Sequence, residues 1–390
     1  SMPQDTYFNF AFTGFDNPPA NPQLRAYDPA AVVAGNIRVI ENDTGNNPTS
    51  VSAYTTQATP GLTVHNANRG DVHVSYEGLP LAPSQGITFA TIRNNVRDNG
   101  TGDTWGTANV NVSPTNLDAE LWLAVNQVGN GAETNVDTAV AMFPFEGGWL
   151  GAHVDAAGNI LASGPHINQS MVSRSATGRY QVSLPGVDSR SDGYLFAVRG
   201  VNEGGAITAA VLPDGSGWDL GAYRYDRNFS TFDDDPFSLL YLPVEDFVAV
   251  YVEEGLVAGR VDEDGSLFAS VGDPEVTRLG AGIYELEIPG ETPETGMLLL
   301  TVSKLSGTTP EDNFLTYEAS GDLFLIHSHD MGNGHAQALQ DTEFVFAFVG
   351  FGDPITMSVP EPASLTLLAL GLLALAWCCR RRRRAGRLSG

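Results

Sequence analysis

The segment Gly178-Arg-Tyr-Gln-Val-Ser-Leu-Pro-Gly186 returns farther along the chain as Gly282-Ile-Tyr-Glu-Leu-Glu-Ile-Pro-Gly290. Apolar and polar side chains alternate in both segments, and this period of two is typical of β-strands with one solvated face. A looser copy, Gly70-Asp-Val-His-Val-Ser-Tyr-Glu-Gly78, precedes them. After each copy a second glycine opens an apolar strand, at Gly86, Gly193 and Gly296. The pattern predicts three copies of one β-rich unit.

Sequences on either side of these strands repeat as well. Residues 151–164 match residues 256–272, and both stretches are predicted hairpins closed by glycine turns. Each unit ends in an apolar strand, at 139–145, 237–242 and 344–349. A unit of roughly 100 residues with seven or eight short strands has the size of a β-sandwich or jelly roll. The predicted fold class is therefore all-β, with tandem β-sandwich or jelly-roll-like modules.

The repeats predict how the chain is divided. The predicted parts are an N-terminal segment (1–30), a divergent first unit (31–148), a second unit (149–245), a third unit (246–354) and a C-terminal tail (355–390). Short connectors are predicted near 146–149 and 243–247. A period of this length is too long for a solenoid repeat, so we expect the units to be arranged like beads on a string.

The composition limits the kinds of partner that the protein can have. The net charge is −26 over 390 residues, and Lys304 is the single lysine. Such a surface repels nucleic acid and anionic lipid, so no nucleic-acid partner is expected. The two cysteines, Cys378 and Cys379, both lie in the tail, so the units are predicted to contain no disulfide.

The tail has three parts in a fixed order. The box Val359, Pro360, Glu361, Pro362 comes first, and an uncharged stretch, 363–379, follows it. As a helix at roughly 1.5 Å per residue, this stretch is about 25 Å long. That length is at the lower limit for a bilayer core of about 30 Å. A basic run completes the tail: Arg380, Arg381, Arg382, Arg383 and Arg384. By the positive-inside rule these arginines stay cytoplasmic, and the units face away from the cytoplasm.

This order of box, apolar helix and arginines resembles the PEP-CTERM sorting signal of Gram-negative bacteria. The resemblance covers the tail alone, and it implies that an exosortase-type membrane protease cuts at the box. It also implies an exported protein with an inner-membrane intermediate and a final location at the cell surface or in the extracellular matrix. Such proteins enter through a secretory signal peptide, and because the chain opens with the polar Ser1-Met2-Pro3 we expect that a signal peptide was removed. A plain single-pass anchor is the alternative interpretation.

One cluster of residues has the character of a metal site. His327 and His329 are two residues apart, so on a strand they share a face. Asp330 and His335 could close a zinc or nickel site with them across a glycine-rich turn. The equivalent loops of the other units carry no such set, so a solvated hairpin loop is the competing interpretation.

Acidic and aromatic residues suggest two further kinds of site. Asp262-Glu-Asp264-Gly265 and Asp233-Asp-Asp235 offer the carboxylate oxygens that calcium prefers, although a tight turn also explains the first. Three tryptophans beside glycine-rich or aspartate-rich stretches could stack on sugar rings, with a place in the core as the competing interpretation: Trp105, Trp149 and Trp218. No cofactor is predicted firmly; calcium and zinc remain hypotheses.

The common catalytic and nucleotide-binding motifs do not occur in the sequence, so no enzyme activity is predicted. The predicted function is that of an exported, non-enzymatic surface or extracellular-matrix protein, built of repeated β modules and sorted through its tail. Besides the exosortase, the expected partners are exopolysaccharide or other surface proteins. The alternatives are a carbohydrate-binding, calcium-dependent adhesin-like array of modules, and a hydrolase of matrix polymers that uses paired carboxylates.

Overall fold

The structure is a computed structural model, and strands dominate it. It describes residues 32–41, 51–68, 71–76, 79–94, 106–113, 115–127, 137–147, 149–201, 203–226, 229–244, 256–305, 309–331 and 338–351. The all-β prediction is confirmed. Among these residues no helix is long and apolar enough to cross a bilayer, and the predicted tail helix at 363–379 lies outside them.

The strands fall into three groups along the chain, which we call units 1, 2 and 3. Unit 1 contains β1 (Val33–Glu41), β2 (Val51–Ala58), β3 (Leu62–Asn68), β4 (Asp71–Tyr76), β5 (Leu79–Pro80), β6 (Gly86–Asn94), β7 (Gly106–Asn111), β8 (Trp122–Gln127) and β9 (Asp137–Pro144). Unit 2 contains β10 (Leu150–Val154), β11 (Ile160–Ser163), β12 (Val172–Ala176), β13 (Arg179–Val182), β14 (Gly193–Arg199), β15 (Gly205–Val211), β16 (Trp218–Asp226), β17 (Phe229–Phe232) and β18 (Phe237–Pro243). Unit 3 contains β19 (Leu256–Val261), β20 (Leu267–Val271), β21 (Glu275–Gly280), β22 (Ile283–Glu287), β23 (Gly296–Lys304), β24 (Asn313–Ser320), β25 (Leu323–Asp330) and β26 (Phe344–Gly350). Two short 3-10 turns lie at Phe145–Gly147 and Gln169–Met171.

The order of strands in the sheets is the same in each unit. When the main strands of a unit are counted from one to eight, leaving out β5 and β17, the first sheet has the order 2-1-8-5 and the second sheet has the order 3-4-7-6. Neighbouring strands within a unit pair antiparallel. The fifth strands are β6, β14 and β23, which begin at the glycines that open the apolar strands in the sequence pattern.

Unit 2 shows how the two sheets of a unit meet. Leu195 and Leu239 from its first sheet lie in one apolar cluster with Tyr180, Trp218 and Leu220 from its second sheet. These side chains are almost completely buried. Alternation along each strand therefore directs one set of side chains into the space between the sheets, as in a β-sandwich.

The predicted hairpins are confirmed at both repeated places. β10 pairs with β11 and β19 pairs with β20, each across a four-residue turn that ends in a glycine. Gly158 and Gly265 close these turns with φ angles of 87° and 88°, a region that side chains other than glycine rarely adopt. The turn chemistry was therefore visible in the sequence.

The three units are not separate beads, and that prediction is wrong. In β14, Leu195 and Ala197 face the core of unit 2, whereas Tyr194, Phe196 and Val198 join a second cluster with residues of units 1 and 3. Because successive side chains of a strand point to opposite faces, the first sheet of unit 2 is buried on both sides. The first sheets of the three units thus share one apolar core.

Backbone contacts join the units as well. The sixth strand of unit 2, β15, pairs in parallel with the fifth strand of unit 3, β23, so that two sheets merge into one sheet of nine strands. A fifth strand also lies close to a sixth strand where β6 contacts β24 and where β14 contacts β7. Each unit therefore contributes its fifth and sixth strands to a common junction.

Candidate functional site

A small pocket lies at this common junction, which we call the axial pocket. It has a volume of about 60 Å³, and the fifth and sixth strands of the three units line it. The lining side chains with polar groups are Thr91, Thr107, Asn109, Arg199, Thr301 and Asn313. These residues are far apart in the sequence and come together only because the units pack around the pocket.

Hydrogen bonds between units hold the walls of the axial pocket in place. The Nδ2 of Asn109 in unit 1 donates to the carbonyl oxygen of Glu203 in unit 2 at 2.9 Å. The backbone nitrogen of Gly205 donates to the hydroxyl of Thr107 at 3.3 Å. On the side of unit 3, the hydroxyl of Thr301 accepts from the backbone nitrogen of Ala197 at 3.1 Å. The pocket is therefore formed by ordered groups from all three units.

Arg199 is the charged side chain of the axial pocket. Its guanidinium is fully buried and pairs with Asp235 through both Nε and Nη2, while Nη1 donates to the carbonyl oxygen of Glu203 at 2.8 Å. Burial raises the pKa of Asp235, and the neighbouring Arg199 opposes that rise. Because the two charges compensate each other, the pocket presents a polar lining without a net charge.

Asn313 differs from the other polar residues of the axial pocket. It is 1% exposed, and within the described residues neither atom of its side-chain amide has a hydrogen-bond partner. A buried amide without partners destabilises the folded state, and such groups are rare in native proteins. No sequence pattern singled out this residue, because it stands at the beginning of an ordinary strand.

One buried polar position recurs in the first strand of each unit, and we call it the junction position. It is Asn36 in unit 1, His153 in unit 2 and Arg260 in unit 3, and all three are buried. Each pairs with the same place in the eighth strand of its unit, namely Ala139, Ser238 and Val345. The same structural position thus carries three different polar side chains.

The partners at the junction position differ as much as the residues. Asn36 donates from Nδ2 to the carbonyl oxygen of Pro293 in unit 3 at 3.0 Å. In unit 2, His153 reaches the carbonyl oxygen of Gly86 in unit 1 with Nε2 at 2.9 Å. A carbonyl oxygen only accepts, so Nε2 carries a proton. Burial lowers the pKa of His153 to about 4.

The acidic stretches that suggested calcium have partners of another kind. The carboxylate of Asp264 accepts from the backbone nitrogen of Ser266, which belongs to the hairpin turn. In the other stretch, Asp234 pairs with Arg174, and Asp235 pairs with Arg199. These carboxylates therefore already have hydrogen-bond or ion-pair partners within the protein, and calcium stays a hypothesis from the sequence.

Asp234 belongs to a set of contacts that unit 3 repeats, and we call each set a turn lock. In unit 2, Asp234 binds the guanidinium of Arg174 and accepts from the backbone nitrogen of Gly178, beside the buried Tyr180. Unit 3 makes the same contacts with Arg278, Asp341, Gly282 and Tyr284. The arginine lowers the pKa of the aspartate in both locks.

The histidine cluster is only partly within the described residues. His327 and His329 both lie in β25, with ring centroids 6.1 Å apart, and the ring of His329 stacks on Phe314. Asp330 ends the strand, and His335 lies outside the described residues. The described part of the chain holds no group of three or more metal-binding side chains, so the metal site stays a prediction.

The tryptophans take different places. Trp149 and Trp218 are 1% and 0% exposed, so the interpretation of these two as sugar-stacking platforms is wrong. Trp105 lies outside the described residues. Trp122, which the sequence reasoning did not single out, is partly exposed and stacks on His73, with the two ring centroids 5.9 Å apart.

The fold and the junction define an all-β protein whose three units are packed into one body and followed by a hydrophobic, arginine-capped tail. Residues 358–383 match the family described as the PEP-CTERM protein-sorting motif. The chain therefore carries a PEP-CTERM sorting motif, as the resemblance of its tail implied. The match includes the box from Val359 to Pro362 and the first arginines after the apolar stretch, all outside the described residues. No curated protein and no solved structure matches the chain.

Proposed function

We propose that the chain is an exported, non-enzymatic protein of the cell surface or extracellular matrix of a Gram-negative bacterium. Its three units are β-sandwich modules that form one body, and its tail delivers that body through the inner membrane. The observation that carries this proposal is the PEP-CTERM motif at residues 358–383. The motif implies export, a membrane-anchored intermediate and processing by an exosortase-type membrane enzyme.

Two features of the body support a structural or binding role rather than catalysis. Three of the buried titratable groups in the described part of the chain, Arg199, Asp235 and His153, are bonded to one another or to the backbone. The negative charge of the chain also fits a solvated exterior protein. We therefore place the function in the surface of the body and in its delivery, and not in a reaction.

The sorting proposal is tested by changing the box and leaving the helix and the arginines intact. We expect Pro360→Ala combined with Pro362→Ala to prevent cleavage, because the two prolines keep the approach to the helix extended. The full-length chain then accumulates in the inner membrane and disappears from the surface and the medium. Membrane fractionation in a Gram-negative host with its own exosortase, followed by mass determination of the released chain, measures both effects.

Pro354→Ala is the matched control, because Pro354 directly precedes the tail and lies outside the matched residues. This variant should be processed and released like the natural chain. Equal release of the double variant and the control would contradict the sorting proposal. Retention of both would show that the tail is a plain membrane anchor.

A further inference from the structure

The axial pocket is a preformed pocket that plays no part in the proposed export of the protein. We propose that it binds a neutral, hydroxyl-bearing group, presented either by the end of a neutral saccharide chain or by a small polyol. The proposal goes beyond the proposed function and does not depend on how the protein is exported. It stands on the buried amide of Asn313, on the compensated charge of the pocket and on its size.

The amide of Asn313 supplies the hydrogen bonds that such a ligand needs. Its Oδ1 accepts and its Nδ2 donates, and neither has a partner within the described residues although the residue is 1% exposed. A hydroxyl group also donates and accepts, so one amide can bind two neighbouring hydroxyls of a sugar or polyol. The hydroxyl of Thr107, which accepts from Gly205, keeps its own proton to donate.

The charges of the protein select a neutral ligand over an ionic one. Arg199 is the cationic group of the pocket lining, and Asp235 and the Glu203 carbonyl already bind its guanidinium. A carboxylate or phosphate would have to displace those partners, and the net charge of −26 would repel it. Neutral hydroxyls avoid both costs.

The size of the axial pocket indicates which part of the ligand enters. A volume of about 60 Å³ accommodates a few groups of the size of water, since one water needs about 10 to 15 Å³. A hydroxymethyl arm or a pair of neighbouring hydroxyls meets that limit. Ala206 and Leu315, which also line the pocket, are partly exposed, and the rest of a longer chain would lie along them.

Binding is measured by isothermal titration calorimetry on the full chain in a detergent without a sugar head group. The probes are glycerol, the neutral trisaccharide maltotriose and, as the charged comparison, trigalacturonate. Melting temperature is not the readout for the ligands, because polyols and sugars stabilise folded proteins without binding a site. We expect saturable binding of maltotriose, glycerol or both, and at least tenfold weaker binding of trigalacturonate. Binding of maltotriose alone would identify the ligand as the end of a saccharide chain, and binding of glycerol alone would identify it as a small polyol.

Asn313→Leu tests the location, because leucine has a similar size and cannot form hydrogen bonds. We expect it to weaken binding at least tenfold and, in the absence of ligand, to raise the melting temperature by about 2 to 4 °C, since an unpartnered buried amide is removed. Asn36→Leu is the matched control, because Asn36 is another buried asparagine between units but does not line the pocket. The control should bind like the natural chain.

Three results would overturn the proposal. The first is no saturable heat with either neutral probe at millimolar concentration. The second is unchanged binding in Asn313→Leu, which would place the ligand elsewhere on the protein. The third is a lower melting temperature of Asn313→Leu together with equally weakened binding in Asn313→Leu and Asn36→Leu. That result would give the amide a structural role. Release of the chain from the membrane is independent of all three, so failure here leaves the sorting proposal intact.

Discussion

Contacts inside the units and contacts between them differ in how closely they repeat. The two turn locks use the same residue types in the same geometry: Arg174, Asp234, Gly178 and Tyr180 in unit 2, and Arg278, Asp341, Gly282 and Tyr284 in unit 3. The junction position, in contrast, carries asparagine, histidine and arginine in the three units. The arginine, aspartate and glycine contacts of each lock are made within its own unit. The junction residues have different partners, since Asn36 and His153 bond to the backbone of another unit, whereas Arg260 bonds to Ser303 of its own unit.

The largest expected effect comes from breaking the buried pair at the meeting point of the units. Arg199→Met leaves Asp235 buried without its counter-charge, and we expect the free energy of unfolding to fall by about 3 to 5 kcal/mol. Urea unfolding at pH 7 measures the change. Arg174→Met, which breaks the partly exposed pair of a turn lock, is the control and should have a far smaller effect. Equal losses for the two variants would show that burial beside the axial pocket adds nothing to the contribution of an ion pair in unit 2.

Acid should weaken the junction through His153. The folded protein holds the pKa of His153 at about 4, whereas the unfolded chain has an ordinary value near 6.5. Between these two values the unfolded chain binds a proton that the folded protein does not. Stability therefore falls as the pH drops below about 6.5, and the loss levels off below about 4, at about 3 kcal/mol.

Urea unfolding across this pH range tests the contribution of the histidine. His153→Asn introduces the residue of the junction position in unit 1, and it should flatten the dependence on pH between about 4 and 6.5. An unchanged slope in this variant would show that other groups cause the loss in acid. A stability of the natural chain that stays constant over the same range would show that His153 is not buried as a neutral ring.

The hairpin turns of units 2 and 3 repeat in the same way as the turn locks, so they offer a second test of how closely contacts inside the units repeat. A Cβ at Gly158 would lie 2.9 Å from the backbone nitrogen of Arg174, and one at Gly265 would lie 3.0 Å from that of Arg278. With φ angles of 87° and 88°, Gly158→Ala and Gly265→Ala should each cost about 1 to 2 kcal/mol. Gly280→Ala, where a Cβ meets no atom within 4 Å, should be close to neutral in the same urea titrations. Unequal costs at the two turns would show that the repeated geometry is not equally strained.

The smallest expected effect is loss of a turn-lock arginine. Both ion pairs are about one-third exposed, so solvent and salt screen them. We expect Arg174→Leu and Arg278→Leu each to lower the melting temperature by no more than about 2 °C, and the double variant to show the sum, because the two locks share no residue. Calorimetry at low and at high salt checks this. A much larger drop for one lock would show that it holds more than its own unit.

Much of the architecture was predictable from the sequence. The prediction that failed, an arrangement of the units like beads on a string, failed for a physical reason. Alternation in residues 178–186 and 282–290 predicted strands, and the glycine turns predicted the hairpins β10–β11 and β19–β20. The same sequence also contains Tyr194-Leu-Phe-Ala-Val198, which is apolar at every position. A continuous apolar strand has no face for water and must be buried on both sides. That run indicated burial on both faces, but it did not show that the other units cover the second face, so the beads-on-a-string prediction failed.

The candidate sites also differ in whether their residues are neighbours in the sequence. The sorting tail is a local signal in which box, helix and arginines are neighbours in sequence, so reading the residues was enough to identify it. The axial pocket takes Thr107, Arg199 and Asn313 from three units. Each of them is an ordinary strand residue by its own sequence context. Nothing in a single segment indicated that they meet.

Local sequence was sufficient to predict strands, glycine turns and the sorting motif of the tail, because each depends on side-chain pattern, backbone geometry or charge over a few residues. The negative net charge follows from the composition. The packing of the units decided which elements cover the second face of each first sheet, which partners the residues at the junction position have and where the axial pocket lies. Those features depend on contacts between residues that the chain separates by up to two units. Packing of the apolar strands brings them together, and no local pattern encodes the outcome.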